Sequence, residues 1–163
     1  MGFKVEIERK FLVHIEKLPE LPKGRRLTQG YLSFGPKATV RVRTEEAENS
    51  SENIAYITIK GSGLVGRDEF EYNIPFDEAQ QLLKLAQAAL VTKRRIILPV
   101  EGLSELKWEL DIFDGDNAGL VVVEIELPDE NFEFPRPVWL GQDVTEDPAY
   151  KNAALARNPY KNW

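Results

Sequence analysis

Apolar and polar residues alternate with a period of two through most of this chain. The alternating segments are rich in Val, Ile, Phe and Tyr and are separated by turn-forming residues, which is typical of antiparallel β-strands. The pattern predicts eight strands, at residues 3–13, 25–34, 38–45, 54–60, 67–74, 91–98, 106–113 and 120–127. The chain is therefore expected to be mainly β.

Two segments have the period of a helix instead. Residues 77–90 carry an apolar stripe and open with Asp77 and Gln80 in capping-box spacing. Residues 147–157 begin with Asp147 and Pro148, a cap followed by a proline in the first turn. Many antiparallel strands with few helices predict a barrel or sandwich of the α+β class, with the helices packed outside. The 163 residues are predicted to form a single domain.

Charged residues recur on one face of most predicted strands, and on several of these strands they form pairs of a single sign. A solvated face usually interleaves both signs. If the charged faces line a cavity, the basic strands would bind phosphate oxygens and the acidic strands would bind divalent cations. The periodicity leaves open whether these faces point inward or toward solvent. The basic pairs are Arg41 with Arg43 and Lys93 with Arg95, and the acidic pairs are Glu109 with Asp111 and Glu124 with Glu126.

Composition restricts the chemistry further. The chain has no cysteine and one histidine, His14, which excludes disulfides, a cysteine nucleophile and a histidine-rich zinc site. A metal site must therefore use carboxylates, which select hard ions such as Mg²⁺ or Mn²⁺. The net charge of −6 argues against nucleic acid as a partner. Without a signal peptide or a long apolar run, no membrane partner and a cytoplasmic location are expected.

The order of the motifs along the chain resembles one protein family. Glu6, Glu8 and Lys10 form an ExExK motif near the start. The motif matches the signature of the CYTH domain family, also called the triphosphate tunnel metalloenzymes, and the resemblance runs from residue 3 to about 156. The motifs that follow are Arg41-x-Arg43, Thr58-x-Lys60-Gly61, Arg67-x-Glu69-x-Glu71-Tyr72, Lys93-x-Arg95, Trp108-Glu109-x-Asp111-x-Phe113, Glu124-x-Glu126 and a tail with Thr145, Tyr150 and Asn152.

This resemblance implies a closed, eight-stranded antiparallel β-barrel whose tunnel binds a triphosphate and one or two Mg²⁺ or Mn²⁺ ions. The implied catalytic residues are Glu6, Glu8 and Lys10. The implied phosphate-binding residues are Lys10, Arg41, Arg43, Lys60, Lys93 and Arg95. The implied metal-binding residues are Glu6, Glu8, Asp111, Glu124 and Glu126.

Three activities are open within this family: inorganic triphosphatase, thiamine triphosphatase and adenylate cyclase. The short chain shows no obvious extra pocket for thiamine or adenine, so we favour hydrolysis of inorganic tripolyphosphate to pyrophosphate and phosphate. A module that binds triphosphate or polyphosphate without turnover is the alternative from another class. The intact acidic set argues against it, because binding alone needs mainly basic residues. The expected partner is a small-molecule triphosphate, and a homodimer is left open.

Overall fold

A single antiparallel sheet organises the chain. The computed structural model describes residues 7–62 and 68–163. The sheet order is β5-β4-β3-β2-β6-β7-β8-β1-β9, so that β1 lies between two strands from the far end of the sequence. The strands are β1 (Glu8–Val13), β2 (Arg25–Phe34), β3 (Ala38–Ala47), β4 (Asn53–Gly61), β5 (Glu69–Asn73), β6 (Val91–Val100), β7 (Leu103–Phe113), β8 (Val121–Glu126) and β9 (Leu140–Asp143).

The predicted count of eight strands was wrong, because the sheet has nine strands within residues 7–62 and 68–163. The strand that the pattern missed is β9, whose four residues are too few to show an alternation. It pairs with β1 through an interrupted register, with Phe11 opposite Asp143 and Val13 opposite Leu140. Within the described residues the ladder ends at β5 and β9, so the sheet is open and a closed barrel is not observed. Both edge strands are short and offer few backbone groups for a closing pair.

The main hydrophobic core lies on one face of β1, β6, β7 and β8. Phe11 and Trp108 are completely buried there. Trp139, from the proline-rich segment before β9, packs edge-to-face on Trp108 with the ring centroids 5.4 Å apart. This segment therefore covers the outer face of the sheet and leaves the opposite face, which carries the charged residues, to form the interior.

The first helix, α1 (Phe76–Leu83), is shorter than the 77–90 that the pattern predicts. Its N-cap is Pro75, without a side-chain cap, so the predicted capping box does not form. After the helix, the Gln87 N–H donates to the Tyr31 carbonyl at 2.9 Å, which binds the backbone to β2 instead of extending the helix. Ala86 and Leu90, beyond the end of the helix, still lie against Gly30 of the sheet, which explains why their apolar stripe was mistaken for a longer helix.

The second helix, α2 (Asn152–Arg157), follows a separate 3₁₀ turn at Pro148–Tyr150, so the predicted helix over 147–157 is divided. The predicted cap is present, since the Asp147 carboxylate accepts from the Ala149 N–H at 3.0 Å. α2 buries Leu155 and Ala156 against the interior end of the sheet. None of the helices in the described part of the chain is long and apolar enough to cross a bilayer.

Gly30 on β2 marks the closest approach of the α1 segment to the sheet. A Cβ atom at this position would lie 2.9 Å from Leu90 Cδ2, 3.0 Å from Ala86 Cβ and 3.2 Å from Leu83 Cδ2. We expect Gly30→Ala to lower the free energy of unfolding by about 1–3 kcal/mol, because the segment must shift to relieve this overpacking. Urea denaturation followed by circular dichroism measures the change.

Gly61→Ala is the matched control, since among the described residues its Cβ would meet nothing closer than 3.7 Å. We expect its free energy of unfolding to stay within about 0.5 kcal/mol of the parent. Equal stabilities of the two variants would contradict the packing described for α1.

Candidate functional site

The interior face of the sheet curls around a charged cavity of about 460 Å³. Each of the strands β1 to β8, numbered in chain order, contributes residues to its lining, and so does the start of α2. The charged faces of the strands therefore point inward, which the periodicity alone had left open. The charged lining residues are Glu8, Lys10, Arg41, Arg43, Lys60, Glu69, Glu71, Arg95, Glu109, Glu124, Glu126 and Lys151.

Most of the predicted site residues meet in this cavity. Glu6 lies outside the described residues. Lys93 and Asp111 are both fully buried and contact each other rather than the cavity surface. The predicted residues that line the cavity are Glu8, Lys10, Arg41, Arg43, Lys60, Arg95, Glu124 and Glu126.

A buried ion cluster of Lys93, Arg95 and Asp111 adjoins the cavity. Arg95 and Asp111 lie directly opposite each other on β6 and β7. Arg95 Nε and Nη2 each donate to one Asp111 oxygen at 2.8 Å, and Lys93 Nζ lies 2.7 Å from Asp111 Oδ2. Burial acts to raise the pKa of Asp111, but the charges of Lys93 and Arg95 outweigh it and hold that pKa well below its ordinary value. Asp111 is therefore a buried anion that orients both cations.

Lys93 is surrounded by protein on all sides. Its Nζ also donates to Asn152 Oδ1 at 3.1 Å and lies 5.3 Å from the centre of the Phe113 ring. Burial lowers the pKa of Lys93 to about 8, although the charge of Asp111 acts to raise it. The ammonium group thus joins β6 and β7 to α2, which differs from the ligand-facing position that the sequence motif implies.

Lys10 joins β1 and β8 to the segment before α2. It lies opposite Glu124 in the sheet, and its Nζ is 3.2 Å from Glu124 Oε1. The same Nζ donates to the Tyr150 carbonyl at 2.8 Å. Burial acts to raise the pKa of Glu124, but the charge of Lys10 leads the effects that bring it below its ordinary value. The charge of Lys10 is therefore largely compensated inside the protein.

Arg41 and Arg43, neighbours on one face of β3, have weaker partners. Arg43 Nε donates to Gln29 Oε1 at 3.0 Å, and Arg43 Nη1 lies 3.6 Å from Glu45. Arg41 Nη2 donates to Thr58 at 3.4 Å, while the buried Arg41 Nε has no hydrogen-bond partner among the described residues. Burial, followed by the charges of Arg41 and Arg95, lowers the pKa of Arg43 to about 10. The cations on this side of the cavity are therefore paired less closely with carboxylates than Arg95 is.

The basic side extends to β4 and β5. Lys60 lies 4.0 Å from Glu69. Thr58, which accepts from Arg41, donates to Glu71 Oε2 at 3.0 Å. A distance of 4.0 Å leaves the ammonium group of Lys60 only loosely paired, so it can also bind an incoming anion.

Carboxylates are concentrated on β1, β7 and β8. Glu8 lies directly opposite Glu126, and Glu109 lies directly opposite Glu124. Like charges in directly opposite positions destabilise a sheet unless cations offset them. Arg95 Nη1 contacts Glu109 at 3.1 Å and supplies part of this offset.

This oxygen-only donor set fits a hard divalent cation such as Mg²⁺ or Mn²⁺. The fit rests on donor chemistry and on the like-charge pairs. The described residues do not include a group of three or more potential ligands already arranged around a metal position.

Several residues in or beside the cavity were missed or left without a role in the sequence analysis. Gln29 and Tyr31 lie on β2, which has no stripe of charged residues to mark its interior face. They alternate with the same parity as the buried Leu27, and this was the one sequence signal that could have predicted an interior position. Asn152 belongs to the tail motif, but its bond to Lys93 depends on the docking of α2. Lys151 lies in the predicted last helix, and the sequence favoured a solvated position for it, since lysines are mostly exposed, whereas the structure places it in the cavity lining.

The pKa of Lys93 predicts a specific pH dependence of stability. The folded value is about 8 and the ordinary value is 10.5. Between these values the unfolded chain binds more protons at this side chain than the folded protein does, so its contribution to the free energy of unfolding increases with pH. We therefore expect the stability of the parent, relative to Lys93→Met, to increase from about pH 8 to pH 10.5. Urea denaturation of both proteins over this pH range tests the prediction. A difference in free energy of unfolding that does not change with pH would contradict the lowered pKa of Lys93 in the folded protein.

Comparison with known proteins agrees with these features. The CYTH domain pattern matches residues 4–152. The chain is 42% identical over 160 residues to the inorganic triphosphatase of Acetivibrio thermocellus, covering 97% of each chain. It is 36% identical over 155 residues to the inorganic triphosphatase of Nitrosomonas europaea, covering 93% of this chain and 96% of that protein. A crystal structure of an inorganic triphosphatase superposes with a TM-score of 0.68 at 31% identity, covering 96% of this chain and 97% of that one. This chain belongs to the CYTH domain family.

Proposed function

We propose that this chain hydrolyses inorganic tripolyphosphate to pyrophosphate and phosphate with the help of Mg²⁺ or Mn²⁺. The observation that carries the proposal is the cavity itself, where guanidinium groups without full counter-charges face directly opposed carboxylates. The first arrangement suits a polyanion and the second suits a divalent cation. The names of the two curated relatives support inorganic triphosphate as the substrate.

The cations that bind the substrate are those whose charge the protein leaves available. Arg41 and Arg43 donate to phosphate oxygens, and Lys60 exchanges its loose contact with Glu69 for a phosphate oxygen. A guanidinium fork matches two phosphate oxygens at once, which fixes the orientation of the chain of phosphates. Because the sheet curls, these groups surround the substrate as the wall of a tunnel would.

Glu8, Glu124 and Glu126 are the described residues that would hold the cation, and we retain Glu6 as a further ligand on the motif alone. When bound, the cation acts as a Lewis acid that neutralises charge on phosphate oxygens. Both oxygens of Asp111 accept hydrogen bonds from Arg95 and one also contacts Lys93. We therefore reassign Asp111 from metal ligand to positioning residue, and Lys93 from phosphate clamp to the partner that holds Asp111.

In the reaction, a water oxygen forms a bond to the terminal phosphorus while the bond from that phosphorus to the bridging oxygen breaks. Pyrophosphate leaves with the bridging oxygen, and the water supplies the oxygen and protons that complete the products. Arg41, Arg43 and Lys60 stabilise the negative charge on the transferred and leaving groups, which is the main contribution of the protein in phosphoryl transfer. No covalent enzyme intermediate is needed.

Phosphate release from tripolyphosphate should require a divalent cation. We expect turnover with Mg²⁺ or Mn²⁺, none after chelation, and less with ATP, thiamine triphosphate or pyrophosphate. Glu126→Gln should raise the cation concentration for half-maximal rate at least about tenfold, a loss typical of disturbed metal sites. Glu101→Gln, an exposed turn residue, is the matched control. Undiminished release in excess chelator would refute the metal dependence.

Removal of a single cavity guanidinium should impair catalysis strongly. We expect Arg41→Gln to lower kcat/KM for tripolyphosphate by about 10²-fold, as for the loss of one charge-stabilising donor. The control is Arg26→Gln, because Arg26 pairs with Asp114 and is largely exposed. Steady-state phosphate release measures both variants. Similar values for Arg41→Gln and the parent would show that the basic side does not bind the reacting phosphates.

A further inference from the structure

Gln29 is a fully buried polar residue in the middle of β2. It lies opposite Arg43 on β3, and its Oε1 accepts from Arg43 Nε at 3.0 Å. Its Nε2 has no hydrogen-bond partner among the described residues. The reverse orientation of the amide would place two donors against each other, so the bond to Arg43 fixes which end of Gln29 faces the guanidinium.

The partner of Arg43 differs in charge from the partner of Arg95. Arg95 is bound at 2.8 Å by both oxygens of a buried carboxylate, and Glu109 adds a second counter-charge. The short hydrogen bond of Arg43 is to a neutral amide, and its contact with Glu45 is longer, at 3.6 Å. A neutral acceptor orients a guanidinium without cancelling its charge. Gln29 therefore separates the orientation of Arg43 from the neutralisation of its charge.

Two buried donor atoms on neighbouring strands, Gln29 Nε2 on β2 and Arg41 Nε on β3, have no acceptor among the described residues. A buried donor without an acceptor is costly, as is a buried charge without a counter-charge. A multiply charged anion in the adjacent cavity would supply closer counter-charges to Arg41 and Arg43 than the protein does.

We propose that Gln29 is a positioning residue that determines substrate charge specificity, because it holds Arg43 through a neutral acceptor and so reserves its positive charge for a polyphosphate. This inference rests on the proposed function and names a residue that adjusts the affinity of the cavity for the substrate. Arg43 makes the contact with the phosphates, and Gln29 acts through Arg43. A carboxylate at position 29 would compete with the substrate for the same guanidinium.

Two nearly isosteric substitutions separate this role from a structural one. Gln29→Glu keeps an acceptor for Arg43 but adds a negative charge, whereas Gln29→Met removes the acceptor and adds no charge. If Gln29 only supported the fold, the glutamate variant would resemble the parent and the methionine variant would be the more impaired. Charge tuning predicts the opposite order. Gln80→Glu, an exposed site on α1, controls for the added charge.

The experiment measures tripolyphosphate binding by calorimetry in chelator, KM with Mg²⁺, and the thermal midpoint without ligand. We expect Gln29→Glu to weaken binding and raise KM by at least about tenfold, with its thermal midpoint retained, as a charged hydrogen bond is diverted from the substrate. Gln29→Met should be weakened less. Parent-like affinity of Gln29→Glu, or weaker binding by Gln29→Met than by Gln29→Glu, would overturn the inference. Parent protein that binds tripolyphosphate but releases no phosphate would refute the proposed function alone, since the order of metal-free affinities would still test Gln29.

Discussion

The pairing of Asp111 with Lys93 and Arg95 is the constraint on which the rest of the interior depends. Isolated charges with this degree of burial would be very unfavourable, so these three side chains are tolerated only as a set. The set fixes the register of β6 and β7, because Arg95 and Asp111 must stay opposite each other. It also requires α2, whose Asn152 completes the surroundings of Lys93. One buried ion cluster therefore aligns the sheet and docks the last helix.

A gradient of charge compensation follows from this cluster. On β6 and β7 the cations are matched closely by carboxylates, and Lys10 and Glu124 are matched in the same way. On β3 and β4, the partners of Arg41, Arg43 and Lys60 are neutral or more distant. The closely paired charges give the cavity a rigid frame, and the more loosely paired cations leave free energy available for binding a ligand. The stability of this interior and its capacity to bind anions thus belong to different strands.

The sequence predicted those features that depend on the period of two. Because neighbouring residues on a strand face opposite sides, the spacing of Arg41 and Arg43 was sufficient to place them on one face. The order of the motifs then predicted that charged residues from distant strands share the same interior. The pattern could not predict β9, which is too short to alternate, or the end of α1 at Leu83, which depends on a backbone bond to β2. It also could not separate Lys93 from Arg95. The two residues share parity, and only the packing of α2 and Phe113 makes one of them inaccessible.

The position of β1 in the sheet has a consequence for biosynthesis. This strand is synthesised before the other eight, yet its hydrogen-bonded neighbours are β8 and β9, more than 100 residues later. The hairpins formed by β2, β3 and β4 have partners close in sequence and can form while translation continues. Until β8 is released, Lys10 lacks Glu124 and the nascent chain exposes a half-built sheet with unpaired strand edges. The pairing of β1 with β8 therefore forms only after residue 126 has been synthesised, and unpaired strand edges of this kind are prone to aggregate until they are covered.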